Sequence, residues 1–166
     1  MRKKEIHKTN AARVLDRLKI SYDIFEYEVD ESDLSAVHLA QATGISIEKI
    51  YKTIVCEVGA REYIVACIQG DLELDLKALA SVSRYKRCEL LALKELEKTT
   101  GYIRGGCSPI AMKKHFATFI DERALLQKQI LISAGVRGKQ LCLAPHDLAH
   151  AVNAKFAAIT RTPDIA

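Results

Sequence analysis

The chain has 166 residues, of which 49% are hydrophobic and 6% aromatic, with a formal net charge of +4. That length suits one ordinary domain with a sizeable core, and the apolar fraction excludes a disordered chain. The charge is a mild basic excess, compatible with a polyanionic partner without requiring one. No apolar run approaches the roughly 18 residues of a membrane span.

The first residues, "MRKKEIHK", are basic, but no apolar run follows, so they do not read as a signal peptide and a cytoplasmic protein is expected. "TNAARVLDRLKI" has a capping Thr9 or Asn10 and places Val14, Leu15 and Leu18 on one face of a helix. "SYDIFEYEV" alternates and reads as a strand. "DLSAVHLAQATG" reads as a second helix, with Ser35 as cap and Gly44 as stop. "IYKTIVCEV" and "EYIVACIQ" flank Gly59-Ala60-Arg61 as a hairpin, and "DLKALASVS" is a helix capped by Asp75. "LKELEKTTG" is a short helix ended by Gly101, and "FATFID" a short strand whose Asp121 caps a short helix. "QILISAG" and "KQLCLAP" are strands around the turn "AGVRGK". "PHDLAHAV" is a helix with Pro145 near its start, "KFAAIT" a last strand and "RTPDIA" a frayed end. Strands and helices interleave without repeat, linker or strict βαβ rhythm, which predicts one α/β domain with a mixed sheet.

Chemistry-bearing residues concentrate in a few places. Lys52 interrupts an apolar strand, so it either faces solvent or stands as a cation at a pocket wall. "TTGYIRGGCSPIAMKKH" holds three glycines, and Gly105-Gly106 permits positive φ or close approach of a ligand to bare amides. It is neither a Walker A nor a GxGxxG sequence. Ser108 is held extended by Pro109. A surface loop and an anion or ligand loop both satisfy this pattern. "SAGVRGKQ" reads as a hairpin turn or as a second loop beside the first. From Gly101 to Gln140 the bases Arg104, Lys113, Lys114, Arg123, Lys128, Arg137 and Lys139 face only Asp121 and Glu122, which suggests a phosphate-contacting surface or a solvated basic face.

Nucleophile and metal motifs are weak. The cysteines Cys56, Cys67, Cys88, Cys107 and Cys142 are scattered without a CxxC pair, which favours reduced thiols over disulfides or a zinc site. Cys107 would be reactive only if neighbouring bases depressed its pKa, and no triad can be assembled around it. His146 and His150 share a helix face but lack a third metal ligand. Asp147 is either a first-turn residue facing the helix dipole or a polar group directed into a site.

Several of these segments coincide with one family. "YKTIV" around Lys52, "TGYIRGGCSPIAMKK", "ISAGVRGKQLCLAP" and Asp147-Leu148 resemble, in order and spacing, the YbaK/EbsC family of Cys-tRNA(Pro) deacylases, within the prolyl-tRNA synthetase editing-domain superfamily. The likeness runs from about Asn10 to Ile159. It implies a single YbaK-like domain over 1–166 with a mixed, partly barrel-like sheet. It implies clearance of cysteine from mischarged tRNA(Pro) by a second site, used because binding energy rejects small side chains poorly. It further implies no metal, no cofactor and no protein nucleophile, the substrate's own thiol attacking its ester.

By the same resemblance Lys52, Gly105 and Gly106 are the catalytic positions, with Tyr27, Thr53, Ser108, Ser133 and Asp147 as substrate contacts. The implied partners are the aminoacyl-tRNA acceptor end and, less directly, prolyl-tRNA synthetase, with no membrane. Two places depart from the family pattern. Ala111 stands where relatives usually have glycine, and "DLSAVHLAQ" matches only loosely. Two other functions fit the residues less closely: hydrolysis of Ala-tRNA(Pro) by water, and a non-catalytic module that binds tRNA or a synthetase. A thiol-redox role through Cys107 lacks a resolving partner.

Overall fold

The computed structural model describes residues 8–161. The expectations for the basic N-terminal stretch and for the tail after Arg161 lie outside them.

Local signals open and close most helices. Helix α1, Asn10–Arg17, starts at Thr9, whose Oγ1 accepts from Ala12 N at 3.2 Å. It buries Ala11, Ala12 and Leu15, while Leu18 remains 42% exposed. The expected face was therefore displaced, because the helix ends at Arg17 and Leu18 lies past its last turn. Strand β1, Asp23–Glu26, is shorter than its alternating pattern. Its only strand partner among the described residues is β8, Lys139–Leu143, and by Tyr27 the chain has reached the turn beyond, the Tyr27 amide donating to Gly138 O at 3.0 Å. Helix α2, Ala36–Thr43, is capped by Ser35 and closed by left-handed Gly44. A 3₁₀ turn, Ile47–Lys49, leads into the hairpin of β2, Tyr51–Gly59, and β3, Glu62–Gln69.

The short β4, Glu73–Leu74, precedes α3, Leu76–Ser83, which Asp75 caps through Ala78 N. After β5, Glu89–Leu90, the helix α4, Leu96–Thr100, ends at Gly101 with φ 87°. Then follow β6, Ala117–Asp121, a 3₁₀ turn, Glu122–Leu126, capped by Asp121, β7, Ile130–Ser133, and β8. Helix α5, Pro145–Val152, and the strands β9, Lys155–Ala157, and β10, Thr160–Arg161, complete the described chain.

The strands form a five-stranded mixed sheet, β5-β2-β3-β6-β9, a three-stranded antiparallel sheet, β1-β8-β7, and a small pair, β10-β4. One parallel bridge, Ile50 to Leu131, connects the two larger sheets, so no closed barrel forms. The alternation of β2 and β3 serves two cores. Tyr51, Val55, Val65 and Cys67 face a main core shared with α1, α5 and the three-stranded sheet. Cys56, Ile64, Ala66 and Ile68 face a second core closed by Leu79 and Ala80 of α3. Each fully buried aliphatic side chain contributes about 1.5–3 kcal/mol. Cys56, Cys67 and Cys88 are buried thiols in these cores, and all five cysteines are free.

Asp121, 1% exposed, ties down the chain's end: its Oδ1 accepts from Ile159 N at 3.0 Å and Thr160 Oγ1 at 3.3 Å. Ala111 has φ 61°, a left-handed backbone that accounts for the glycine expected there. An alanine carries about 1–2 kcal/mol of strain in that conformation. No helix among the described residues is long and apolar enough to cross a membrane.

Candidate functional site

Where β2 begins, it meets the chain after β1, the start of α2, the loop after α4 and the facing ends of β7 and β8. A cavity of about 250 Å³ opens at this junction. It lies just below the range of drug-sized pockets, about 300–1,000 Å³, and suits a small group rather than a large ligand.

Five of the eight positions that the resemblance assigns to the site line it together, Tyr27, Lys52, Thr53, Gly105 and Ser133, and Cys107 joins them. Strand pairing explains part of this convergence, and Ser133 of β7 lies directly across from Gln140 of β8. The other three lie elsewhere. Ser108 is fully buried, and its Oγ accepts from Ile110 N at 3.2 Å, fixing the turn at Pro109. Asp147 sits in the first turn of α5, a position that favours a carboxylate, and does not border the cavity. Gly106 stands behind the wall. Its N–H donates to Ile103 O at 3.0 Å, which commits that amide to the loop itself.

Gly106 brings two loops together. A Cβ there would lie 3.2 Å from the backbone of Val136 and Arg137. The contact is reinforced by Arg137 Nε, which donates to Arg104 O at 2.9 Å. Gly105 has φ 81°, which favours glycine directly. The amides of Gly105 and Cys107, both in cavity-lining residues, have no hydrogen-bond partner among the described residues. Gly70 allows α2 to approach: a Cβ there would meet Ala36 Cβ at 2.2 Å.

The electrostatics separate the two candidate reactive groups. Lys52 is partly buried and forms no ion pair among the described residues. Burial lowers its pKa below the ordinary lysine value, opposed by the charges of Asp71 and Glu73. Burial raises the Cys107 thiol to about 12, against a smaller lowering by a hydrogen bond with Thr100. Cys107 is therefore a neutral thiol at physiological pH and a poor nucleophile. Among the described residues no group of three His, Cys, Asp or Glu side chains is arranged to hold a metal ion.

The basic stretch between Gly101 and Gln140 divides. Arg104 is exposed on the loop beside the cavity, whereas Arg123 Nε donates to Thr160 Oγ1 and faces Asp121. Four lining residues escaped the sequence reading. Asp30, Asp33 and His38 form the rim contributed by the chain before and within α2. Ser32 N and Ser35 N donate to Asp30 and Asp33, each at 3.0 Å, and hydrogen bonds from Ser32 and Ser35 lower the two carboxyl pKa values. His38 lies 3.9 Å from each carboxylate. Their signal was the doubled Asp-x-Ser spacing, which reads equally as turn chemistry. Gln140 is the fourth. Alternation in "KQLCL" places it opposite the core residues Leu141 and Leu143, so the pattern alone points it outward.

Comparison with known proteins finds relatives of the chain in both sequence and fold. The profile of the aminoacyl-tRNA editing domain matches residues 31–151. EbsC of Enterococcus faecalis, provisionally named a Cys-tRNA(Pro)/Cys-tRNA(Cys) deacylase, is 46% identical over 159 residues, covering 96% of this chain and 97% of EbsC. The crystal structure of hypothetical protein APE2540 superposes with a TM-score of 0.84 at 20% identity, covering 92% of this chain and 100% of that one. A protein provisionally described as a trans-editing enzyme for prolyl tRNA synthetase gives 0.76 at 21% identity, covering 95% and 100%. These two structures establish the likeness of fold. The chain belongs to the aminoacyl-tRNA editing family, in its YbaK/EbsC branch.

Proposed function

We propose that the protein is a trans-editing deacylase that removes cysteine from Cys-tRNA(Pro). The observation that carries this reading is the meeting, around one small cavity, of a partly buried Lys52 and the Gly105 and Cys107 amides, all without a partner among the described residues. Family membership and the name of EbsC support the substrate class.

The chain supplies position and charge. Lys52 holds the ester or the terminal ribose, and the Gly105 and Cys107 amides receive the negative charge that develops on the ester oxygen. Gly106 holds the loop that presents them. Tyr27, Thr53 and Ser133 are secondary polar contacts. The substrate's thiol sulfur bonds to its own carbonyl carbon, the bond from that carbon to the ribose oxygen breaks, and the thiol proton ends on the ribose oxygen. tRNA leaves with its hydroxyl restored, and cysteine leaves as a cyclic thioester that water opens. Holding thiol and ester together supplies much of the rate. Exposed bases such as Arg104 meet the acceptor stem through phosphates. Such contacts read little sequence, so selection of tRNA(Pro) falls to prolyl-tRNA synthetase acting as a partner.

The test is a deacylation panel of Cys-, Ala- and Pro-charged tRNA(Pro) with Cys-tRNA(Cys), with and without prolyl-tRNA synthetase. Cysteine is released and proline retained. Release of alanine at the cysteine rate overturns the thiol-assisted step in favour of attack by water. Binding of tRNA without release of any amino acid leaves a non-catalytic module.

A further inference from the structure

Three side-chain oxygens among the described residues are buried without a hydrogen bond of ordinary geometry: Tyr51 Oη, Thr53 Oγ1 and Gln140 Oε1. All three belong to residues that border the cavity. Tyr51 and Thr53 lie on the alternation that faces the main core, with Cys67 across from Thr53. Gln140 differs. It is 6% exposed, lies opposite the core-facing Leu141 and Leu143, and pairs with cavity-lining Ser133. Ser133 Oγ accepts from Gly135 N at 3.1 Å, and no hydrogen bond joins it to Gln140 Oε1. A buried carbonyl oxygen without a donor is costly, and a ligand that brings one removes the cost.

We propose that Gln140 is a specificity-determining residue whose side-chain carbonyl accepts a hydrogen bond from the α-ammonium of the bound aminoacyl group. This rests on the deacylase reading above. An aminoacyl ester brings three kinds of donor. Ribose hydroxyls stay toward the mouth, since they continue into the tRNA, whereas Gln140 is nearly inaccessible. A thiol is a weak donor. An ammonium forms a charge-assisted bond, about twice as strong as a neutral one. The rim supplies the matching field: the carboxyls of Asp30 and Asp33 are held ionised by Ser32 and Ser35. Lys52, on another part of the wall, is then left to the ester. A site that hydrogen-bonds a substrate group rejects an analogue lacking it far better than an apolar pocket rejects a missing methylene.

The experiment compares tRNA(Pro) charged with cysteine against tRNA(Pro) charged with 3-mercaptolactate, in which a hydroxyl replaces the ammonium and the thiol remains. The expected wild-type preference in kcat/KM for the amine is about tenfold or more, the size of one charge-assisted hydrogen bond. Gln140→Met brings the preference close to one. Gln140→Glu retains or widens it, because a carboxylate accepts from the same ammonium. A general loss of packing would slow both substrates together and leave their ratio unchanged. An unchanged ratio in Gln140→Met, or a change that appears between cysteine and alanine instead, overturns the proposal. Failure of Gln140→Glu to preserve the preference, when its thermal transition matches wild type, also overturns it. Absence of release by wild type overturns the deacylase reading, and this inference with it, and is distinguished by affecting every substrate.

Discussion

At Val55 and Cys56 β2 is core, the two residues being 5% and 0% exposed and packed into separate clusters. Its first three residues border the cavity instead, and Tyr51 and Thr53 carry two of the three unsatisfied buried oxygens. One strand thus has an end whose side chains satisfy each other and an end that holds polar capacity in reserve. Unsatisfied groups cost stability, so they persist where another constraint applies, and a ligand site is such a constraint. Stability and activity should respond to substitution at opposite ends of the same strand pair.

The largest effect on folding is expected at the core end. Ile64→Ala, at the residue paired with Cys56, should lower the unfolding free energy by about 3 kcal/mol in denaturant titration while leaving KM unchanged in the folded fraction. At the other end, Lys52→Ala should lower kcat/KM by about 100-fold with little change in the thermal transition. Equal damage to stability from both substitutions breaks the comparison.

The pH profile sharpens it. Burial lowers the pKa of Lys52, so the ammonium is lost at lower pH than in an exposed lysine, and activity should fall on its alkaline limb below pH 10.5. Lys52→Arg should shift that limb upward, because a guanidinium keeps its proton. The sign for stability is the reverse. The folded state disfavours the charged lysine, so this contribution improves as pH rises from the lowered folded value toward 10.5. The smallest effect is expected for Thr53→Val. Thr53 Oγ1 has only the weakly accepting Cys67 thiol beside it. Its loss should raise stability by about 1 kcal/mol and reduce kcat/KM several-fold.

Much of the fold was legible because local rules decided it. Ser35, Asp75 and Asp121 cap the elements they were expected to cap, and Gly44 and Gly101 end theirs in the left-handed conformation. The division into three sheets was not legible, since strand partners at long sequence separation leave no local mark. β4 and β5, at two residues each, are too short to carry a period. In the candidate site, Lys52 and Gly105 stood out as polar or flexible residues in the wrong company. Gln140 did not, because an outward phase on a strand means solvent only when nothing covers that face. That face borders the cavity, whose lining it shares with the chain around α2, about a hundred residues earlier. Asp147 shows the converse, a polar residue whose place in the first turn of α5 accounts for it without a site.

A Cβ at Gly106 would press on the backbone of Val136 and Arg137 at 3.2 Å, so the two loops admit a side chain there only by moving apart by a few tenths of an ångström. A side chain at 106 cannot be admitted by adjusting a neighbouring rotamer, because the atoms in its way are main chain. A side chain at 106 is therefore accommodated by a small shift of the backbone of the other loop. An insertion between Gly135 and Gly138 should be tolerated only alongside an altered Gly105-Gly106 segment. For anyone redesigning the cavity, residues 103–107 and 135–138 form one cassette, to be exchanged together or kept.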